Sequence, residues 1–354
     1  MFTQKIRVGI ARDFLNIDGT RSFDEEAWQQ LEQALRLELE FLDQPAGSPI
    51  QPGDAERFDV LVIKRNLLTR GVFMERPGGG LSSGRLRLVV RNGAGYDHID
   101  LRACTEAGVM VGTTPQAVAH SVASSILALM LAFSHRLFER DRQVRAGLWH
   151  RRWERAGPAL NGRVLGIIGL GNIGLEVFRL AAPWGMRHLG YTPRPNPARY
   201  HGLGIELTAL EPLLAASDFI AICCPLTDQT RHMIDAKAFG LMRRDAFLIN
   251  TARGEIVDEP ALIDALRTRR IAGAGIDVYE SEPPPGNHPL FALDNVVLGS
   301  HNLAYSDQLN KAANLQVVSI VLAYAAGREI ENILNPEAGQ HLGASRPAGG
   351  HKAQ

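Results

Sequence analysis

One stretch of this 354-residue chain narrows its possible folds more than any other: Arg163-Val-Leu-Gly-Ile-Ile-Gly-Leu-Gly-Asn-Ile-Gly174. An apolar run leads straight into a glycine-rich turn, and residues 175–180 continue as a helical run. Each glycine has its own steric task. Gly169 permits the tight turn, Gly171 lets the backbone approach a pyrophosphate, and Gly174 lets the new helix lie close to the strand. The N–H groups of the first helical turn, around Asn172, Ile173 and Gly174, then face the anion together with the helix dipole. Glycine turns after strands are common, so the spacing alone is a weak signal. The apolar strand before it and the helix after it make a dinucleotide site the expectation.

Around this motif, short β-branched runs alternate with amphipathic segments, the pattern of a parallel sheet covered by helices. Strands are expected at residues 6–10, 60–63, 88–90 and 109–111, then at 188–191, 219–223, 246–249, 273–276 and 296–298. Apolar spacing predicts helices over residues 25–37, 117–145 and 308–326, and composition predicts a flexible loop over 77–84. The glycine motif sits mid-chain, with a smaller α/β unit before it and one long helix after the last strand. An inserted domain is the economical arrangement. Residues 1–112 with 303–337 would form a substrate domain, residues 113–302 a doubly wound Rossmann nucleotide domain, and a ligand cleft would lie between them. Residues 338–354 are expected to be a disordered tail.

Length agrees with about two domains. The 38 basic and 38 acidic residues cancel, so no net field draws the chain to nucleic acid or an anionic membrane. Cys104, Cys223 and Cys224 have neither metal-ligand spacing nor a disulfide framework, which suits a reducing, cytoplasmic setting with no metal site. No signal-peptide core opens the chain. The longest apolar run, residues 122–133, is short for a membrane span and carries serines. Arginines among Trp149 and Trp153 can signal nucleic-acid binding. The interspersed Glu139, Asp141 and Glu154 fit a solvated or subunit-facing helix better.

Four further segments belong together: Arg91-Asn-Gly-Ala-Gly-Tyr-Asp-His-Ile-Asp100, Asn250-Thr-Ala-Arg-Gly-Glu-Ile-Val-Asp258, Gly275-Ile-Asp-Val-Tyr-Glu-Ser-Glu-Pro283 and Gly299-Ser-His301. With the glycine motif, and in this order from about Val60 to Pro336, they resemble the D-isomer-specific 2-hydroxyacid dehydrogenase family. The resemblance implies a Rossmann domain inserted into a flavodoxin-like substrate domain, NAD(P)-dependent interconversion of 2-keto and D-2-hydroxy acids, and a homodimer.

It also implies a catalytic trio of Arg253, Glu282 and His301. Reducing a 2-keto acid requires a proton on the carbonyl oxygen, and histidine is the side chain that titrates unaided near neutral pH, so His301 is the expected general acid. Glu282 would orient the imidazole and favour its protonated form. Arg253 would hold the substrate carboxylate with a planar fork. The turn Asn92-Gly93-Ala94-Gly95 would offer backbone amides to the same carboxylate. Along the cofactor the resemblance implies Thr251, Ala252 and Asp277, the last at the nicotinamide amide, with Cys223, Pro225 and Thr230 near the adenosine.

Cofactor preference rests on the end of the second nucleotide-domain strand, Gly190-Tyr-Thr-Pro-Arg194. Where an NAD-selective fold carries an acidic residue, this chain has Thr192, followed by Arg194. A 2′-phosphate can accept hydrogen bonds from both, so NADP(H) is expected over NAD(H). His120 departs from the family pattern, which usually has an acidic residue there, and stands outside the trio. Lys64 and Arg65 follow a substrate-domain strand and would favour an acid with a second anionic group if they face the cleft. Glyoxylate- and hydroxypyruvate-like acids are the default substrates. The competing reading is a non-catalytic, NAD(H)-binding corepressor-like protein of the same fold.

Overall fold

The computed structural model describes residues 5–77 and 79–339. The strands are β1 (Ile6–Ile10), β2 (Leu37–Phe41), β3 (Val60–Ile63), β4 (Met74–Glu75), β5 (Leu81–Ser82), β6 (Leu88–Arg91) and β7 (Met110–Thr113), then β8 (Val164–Ile168), β9 (Arg187–Tyr191), β10 (Ile205–Leu207), β11 (Phe219–Ile222), β12 (Phe247–Asn250), β13 (Gly273–Ile276) and β14 (Val296–Leu298). The helices are α1 (Glu25–Glu32), α2 (Pro52–Arg57), α3 (Leu101–Ala107), α4 (Pro115–Ser134), α5 (Leu137–Arg145), α6 (Asn172–Ala181), α7 (Leu210–Ala216), α8 (Ala236–Leu241), α9 (Glu259–Arg267) and α10 (Asp307–Ala326). They divide between two compact units. One runs to Val118 and resumes at Ser306; the other is Ala119–Tyr305.

The first unit is built on a parallel sheet in the order β2-β1-β3-β6-β7. Strand order reverses between β1 and β3, the flavodoxin-like arrangement whose ligands sit beyond the carboxyl ends of the strands at that reversal. All four residues of β3 are buried, because helices cover both faces of the sheet and no polar alternation is tolerated. On one face α10 contributes Val317, Val318, Ile320 and Val321 to a core with Val8, Ile10, Val60 and Val62.

The second unit carries seven parallel strands in the order β10-β9-β8-β11-β12-β13-β14. Its reversal lies between β8 and β11, at the glycine turn. Ala123, Ile126 and Met130 of α4 are fully buried in the core that holds β8 and α6. At 20 residues α4 is longer than the apolar run read from the sequence, and by length and composition it could cross a membrane. Those buried contacts make it a core helix.

Four local expectations need correction. The helix expected over residues 25–37 stops at Glu32, and Leu37-Glu-Leu-Glu-Phe41 forms edge strand β2, its Leu37, Leu39 and Phe41 packed on the core. The helix expected over 117–145 breaks at Arg136, whose φ is 50°. The cause is distant: a Cβ on Gly157 would lie 1.9 Å from the Ser134 carbonyl, so a returning segment crosses the helix end there. Within residues 77–84, Leu81 and Ser82 pair with β4 and Leu81 is buried, so this loop contributes to the core. Of the tail expected over 338–354, Ala338 and Gly339 close the 3-10 turn Pro336–Gly339 with Ala338 buried, while residues 340–354 lie outside the described residues.

Candidate active site

In the second unit, the chemistry-bearing segments follow the carboxyl ends of β8, β12, β13 and β14. Beyond β8, Gly169 adopts φ 103°, and a Cβ there would stand 2.5 Å from the Cys224 amide nitrogen. A Cβ on Gly174 would meet the Gly169 carbonyl oxygen at 2.2 Å, so the helix packs directly on the turn. Gly171 differs: a Cβ there meets nothing within 4 Å, and no side chain caps α6 at this residue. An open backbone approach beside an uncapped helix N-terminus fits a dinucleotide pyrophosphate.

Thr192 is partly buried at the end of β9 and Arg194 is exposed. A third residue was missed in the sequence. Arg199 donates to Asn172 Oδ1 at 2.7 Å, and the Asn196 amide donates to the Tyr200 hydroxyl at 2.8 Å, pinning a loop stiffened by Pro193, Pro195 and Pro197. Thr230 is committed locally, donating to the Pro225 carbonyl at 2.8 Å. Burial pushes the Cys223 thiol far up and Cys224 up to about 11, so both pack as neutral thiols.

After β12, the buried Asn250 side chain brackets the next turn: its Nδ2 donates to the Arg253 carbonyl at 2.8 Å and its Oδ1 accepts from the Ala252 amide at 3.0 Å. Thr251 is partly buried within it. Gly254 lets this turn touch the next one, since a Cβ there would lie 2.0 Å from the Tyr279 carbonyl carbon. Arg253 and Glu282 are thereby close enough for the arginine charge to act on the carboxylate.

His301 Nδ1 and Glu282 Oε2 lie 2.6 Å apart, and Glu282 Oε1 also accepts from the Tyr279 amide at 3.2 Å. Burial opposes charge on Glu282, but the hydrogen bond and charge of His301, the Tyr279 amide and Arg253 outweigh it and hold the carboxyl below the ordinary glutamate range. His301 has φ 56°, a left-handed conformation that needs outside support. Its amide donates to the Asp277 carbonyl at 2.7 Å, and the Asp277 carboxylate accepts from the amides of Asn302 and Leu303. Burial raises the Asp277 pKa, while those amides and the charge of His301 work against the rise. Asp277, expected at the nicotinamide, turns its carboxylate onto the loop that follows His301.

In the first unit, two amides of the expected anion turn are already engaged. Asn92 donates to the Ile63 carbonyl at 2.9 Å and Gly93 to Thr114 Oγ1 at 2.6 Å, while the Asn92 side chain donates to Asn314. The amides of Asn92 and Gly93 are therefore committed within the unit. Arg91 folds over the turn, donating to the Asn92 carbonyl at 2.7 Å, and is a cation the sequence reading passed over. Lys64 donates to the Asp13 carbonyl at 3.2 Å and lies 4.6 Å from the Phe14 ring centroid; the Arg65 side chain is exposed. His120 pairs with Glu176 at 2.9 Å, which accounts for a histidine at that position.

Comparison with known proteins gives this geometry a family. Residues 127–302 match the family model described as D-isomer specific 2-hydroxyacid dehydrogenase, NAD binding domain. The chain is 35% identical over 322 residues to a glyoxylate reductase from Korarchaeum cryptofilum, covering 90% of this chain and 95% of that one. It is 36% identical over 279 residues to a D-3-phosphoglycerate dehydrogenase from Methanocaldococcus jannaschii, covering 78% of this chain and 52% of the other. Among solved structures it is similar to the D-lactate dehydrogenase of Aquifex aeolicus complexed with NAD and lactic acid, with a TM-score of 0.78 and 26% identity over 93% of this chain and 99% of that one. The second unit is thus an NAD(P)-binding domain, and the chain belongs to the D-isomer-specific 2-hydroxyacid dehydrogenase family.

Proposed function

We propose that this protein reduces a small 2-keto acid to the D-2-hydroxy acid, with His301 as general acid, Glu282 as its orienting partner and Arg253 as the carboxylate anchor. The observation that carries the reading is the 2.6 Å contact between His301 and Glu282 beside Arg253. A bound nicotinamide supplies the hydride that reduces the carbonyl carbon. The glycine turn at 169–174 would hold the pyrophosphate, with Thr251 and Ala252 along the cofactor. His301 delivers the proton to the developing alkoxide from the nitrogen opposite its Glu282 contact, and takes it back in oxidation. Glu282 fixes the ring and stabilises its charged form; Arg253 orients the carboxylate and polarises the adjacent carbonyl. Ala94 and Gly95 would add amide donors for that carboxylate.

The finer reading is a preference for NADPH, supported by Thr192 and Arg194 where an acidic residue would repel a 2′-phosphate. Glyoxylate- and hydroxypyruvate-like acids are the first candidates, in keeping with the name of the Korarchaeum relative. Lys64, Arg65 and Arg91, at the carboxyl ends of β3 and β6, would favour an acid with a second anionic group. The exposed Leu137, Phe138, Val144, Trp149 and Trp153 suit the surface of a homodimer, and the free cysteines suit the cytoplasm.

The test is a panel of 2-keto acids assayed with NADPH and with NADH. Turnover with a small keto acid and a higher kcat/KM for NADPH is the expected result. No turnover with any acid would sink the catalytic reading, and a clear preference for NADH would sink the cofactor reading alone.

A further inference from the structure

Behind the His301–Glu282 pair lies a second chain of acidic, aromatic and imidazole groups. Glu259 opens α9, where the helix dipole favours its charge. Its Oε1 meets His288 Nε2 at 2.9 Å, and its Oε2 accepts from the Glu280 amide at 3.3 Å. The Glu280 carboxylate returns the favour by accepting from the Glu259 amide at 3.2 Å. His288 is only 6% exposed, and its Nδ1 accepts from the Leu290 amide at 3.4 Å, so Nε2 carries the proton toward Glu259.

The ring of His288 stands edge-on to Tyr279, with centroids 5.9 Å apart and planes at 75°. Tyr279 bonds Glu282 directly and reaches the backbone just before His301. Its amide donates to Glu282, and its hydroxyl donates to the Gly299 carbonyl at 2.8 Å, two residues before His301. The segment from Tyr279 to the start of β14 has a single 3-10 turn, Pro289–Ala292, as regular structure. These polar contacts therefore fix it where backbone ladders do not.

We propose that Glu259, His288 and Tyr279 form a positioning relay that holds Glu282 and His301 in register. The relay rests on the catalytic reading above for its purpose, not for its geometry. Other titratable and charged groups facing it are His232, paired with Glu280 at 2.8 Å on the solvent side, together with Asp277 and Arg253 on the side of the acid/base pair. None of the three relay residues touches the reacting atoms. Their effect must be transmitted through the Tyr279 backbone and the Gly299 carbonyl.

The experiment compares His288→Ala, Glu259→Gln and Tyr279→Phe in the full chain, with His288→Gln as the conservative rescue that keeps a donor toward Glu259. With NADPH and the best keto acid from the panel, the first three should lose roughly 10- to 100-fold in kcat, the scale of a small misplacement of catalytic groups. KM and the NADPH Kd should move less than threefold, and His288→Gln should recover most of the loss. The pH above which kcat/KM declines should shift downward, because Glu282 then supports the His301 proton less well. An NMR titration of the His301 ring should show the same downward shift and requires no turnover. Inactivity of the wild type would therefore overturn the catalytic reading and leave this test intact. Unchanged His301 titration in His288→Ala, or equal losses in His288→Ala and His288→Gln with no pH shift, would overturn the relay. If His288→Ala does not fold, Tyr279→Phe decides by the same titration.

Discussion

Asp277 holds His301 through the backbone. The His301 amide donates to the Asp277 carbonyl at 2.7 Å, and the Asp277 carboxylate accepts from the two amides that follow, those of Asn302 and Leu303. Gly299 permits this closeness, since a Cβ there would lie 2.2 Å from Asp277 Oδ1. A left-handed histidine is thus kept in place by a carboxylate whose burial raises its pKa and whose charge faces the imidazole.

Asp277→Asn should therefore lower kcat by roughly tenfold, the effect of a loosened catalytic loop. The alkaline limb of kcat/KM should move to lower pH, since a negative charge beside His301 is removed. NADPH Kd, followed by fluorescence titration, should change less than about threefold, or under 1 kcal/mol. A Kd that rises sharply with kcat unchanged would assign Asp277 to the cofactor instead.

Gly171 and Gly174 sit three residues apart and should respond oppositely to the same change. Gly171→Ala places a Cβ in open space at φ −80°, so the fold should keep its stability within about 1 kcal/mol. That methyl would stand where a pyrophosphate must approach, and cofactor Kd should rise at least about tenfold. Gly174→Ala instead drives a Cβ to 2.2 Å from the Gly169 carbonyl and should cost about 1–3 kcal/mol by urea unfolding. Equal effects of the two variants on stability and on Kd would refute this division of labour.

The parts of this molecule legible in its sequence are those where one residue type answers one local demand. Strands β3 and β11 are buried along their whole length and read as unbroken apolar runs. Edge strands β2 and β10 carry exposed glutamates, and Leu37-Glu-Leu-Glu-Phe41 passes as the end of a helix. The break at Arg136 is written at Gly157, far along the chain, so no local pattern can show it. Arg253, Glu282 and His301 stand out because each is the residue type that one step of the proposed reaction would demand. Asn250 and Tyr279 do not, because they act on backbone groups that only the fold brings near.

Lys64 provides a test of linkage in the first unit. Burial pushes its pKa down, Asp13 opposes the fall and Arg65 adds to it. The folded state therefore binds this proton less tightly than the unfolded chain does. The cost of the buried charge is fully present below the folded pKa and is relieved as pH rises from there toward the ordinary lysine value. Lys64→Met removes the titration. Its Tm relative to the wild type should accordingly fall as pH is raised through the lowered folded pKa toward the ordinary lysine value, because only the wild type gains over that interval. A constant difference across that range would contradict the proposed burial of Lys64.

The acid/base assignment makes its own pH prediction. Glu282 is held below the ordinary glutamate range, so its stabilising charge is present above the unfolded glutamate pKa and is lost only as pH falls through the lower folded value. Across roughly pH 5–9 it therefore stays ionised. Keto-acid reduction should show one descending limb toward alkaline pH, and the reverse oxidation the mirror image. His301→Ala should bind NADPH with nearly unchanged Kd and lose turnover by about 10²- to 10⁴-fold, the usual contribution of a general acid. Glu282→Gln should retain part of the activity while its descending limb begins at lower pH, since the amide cannot stabilise the imidazolium charge. Wild-type turnover in His301→Ala, or an unshifted limb in Glu282→Gln, would remove these residues from the proposed mechanism.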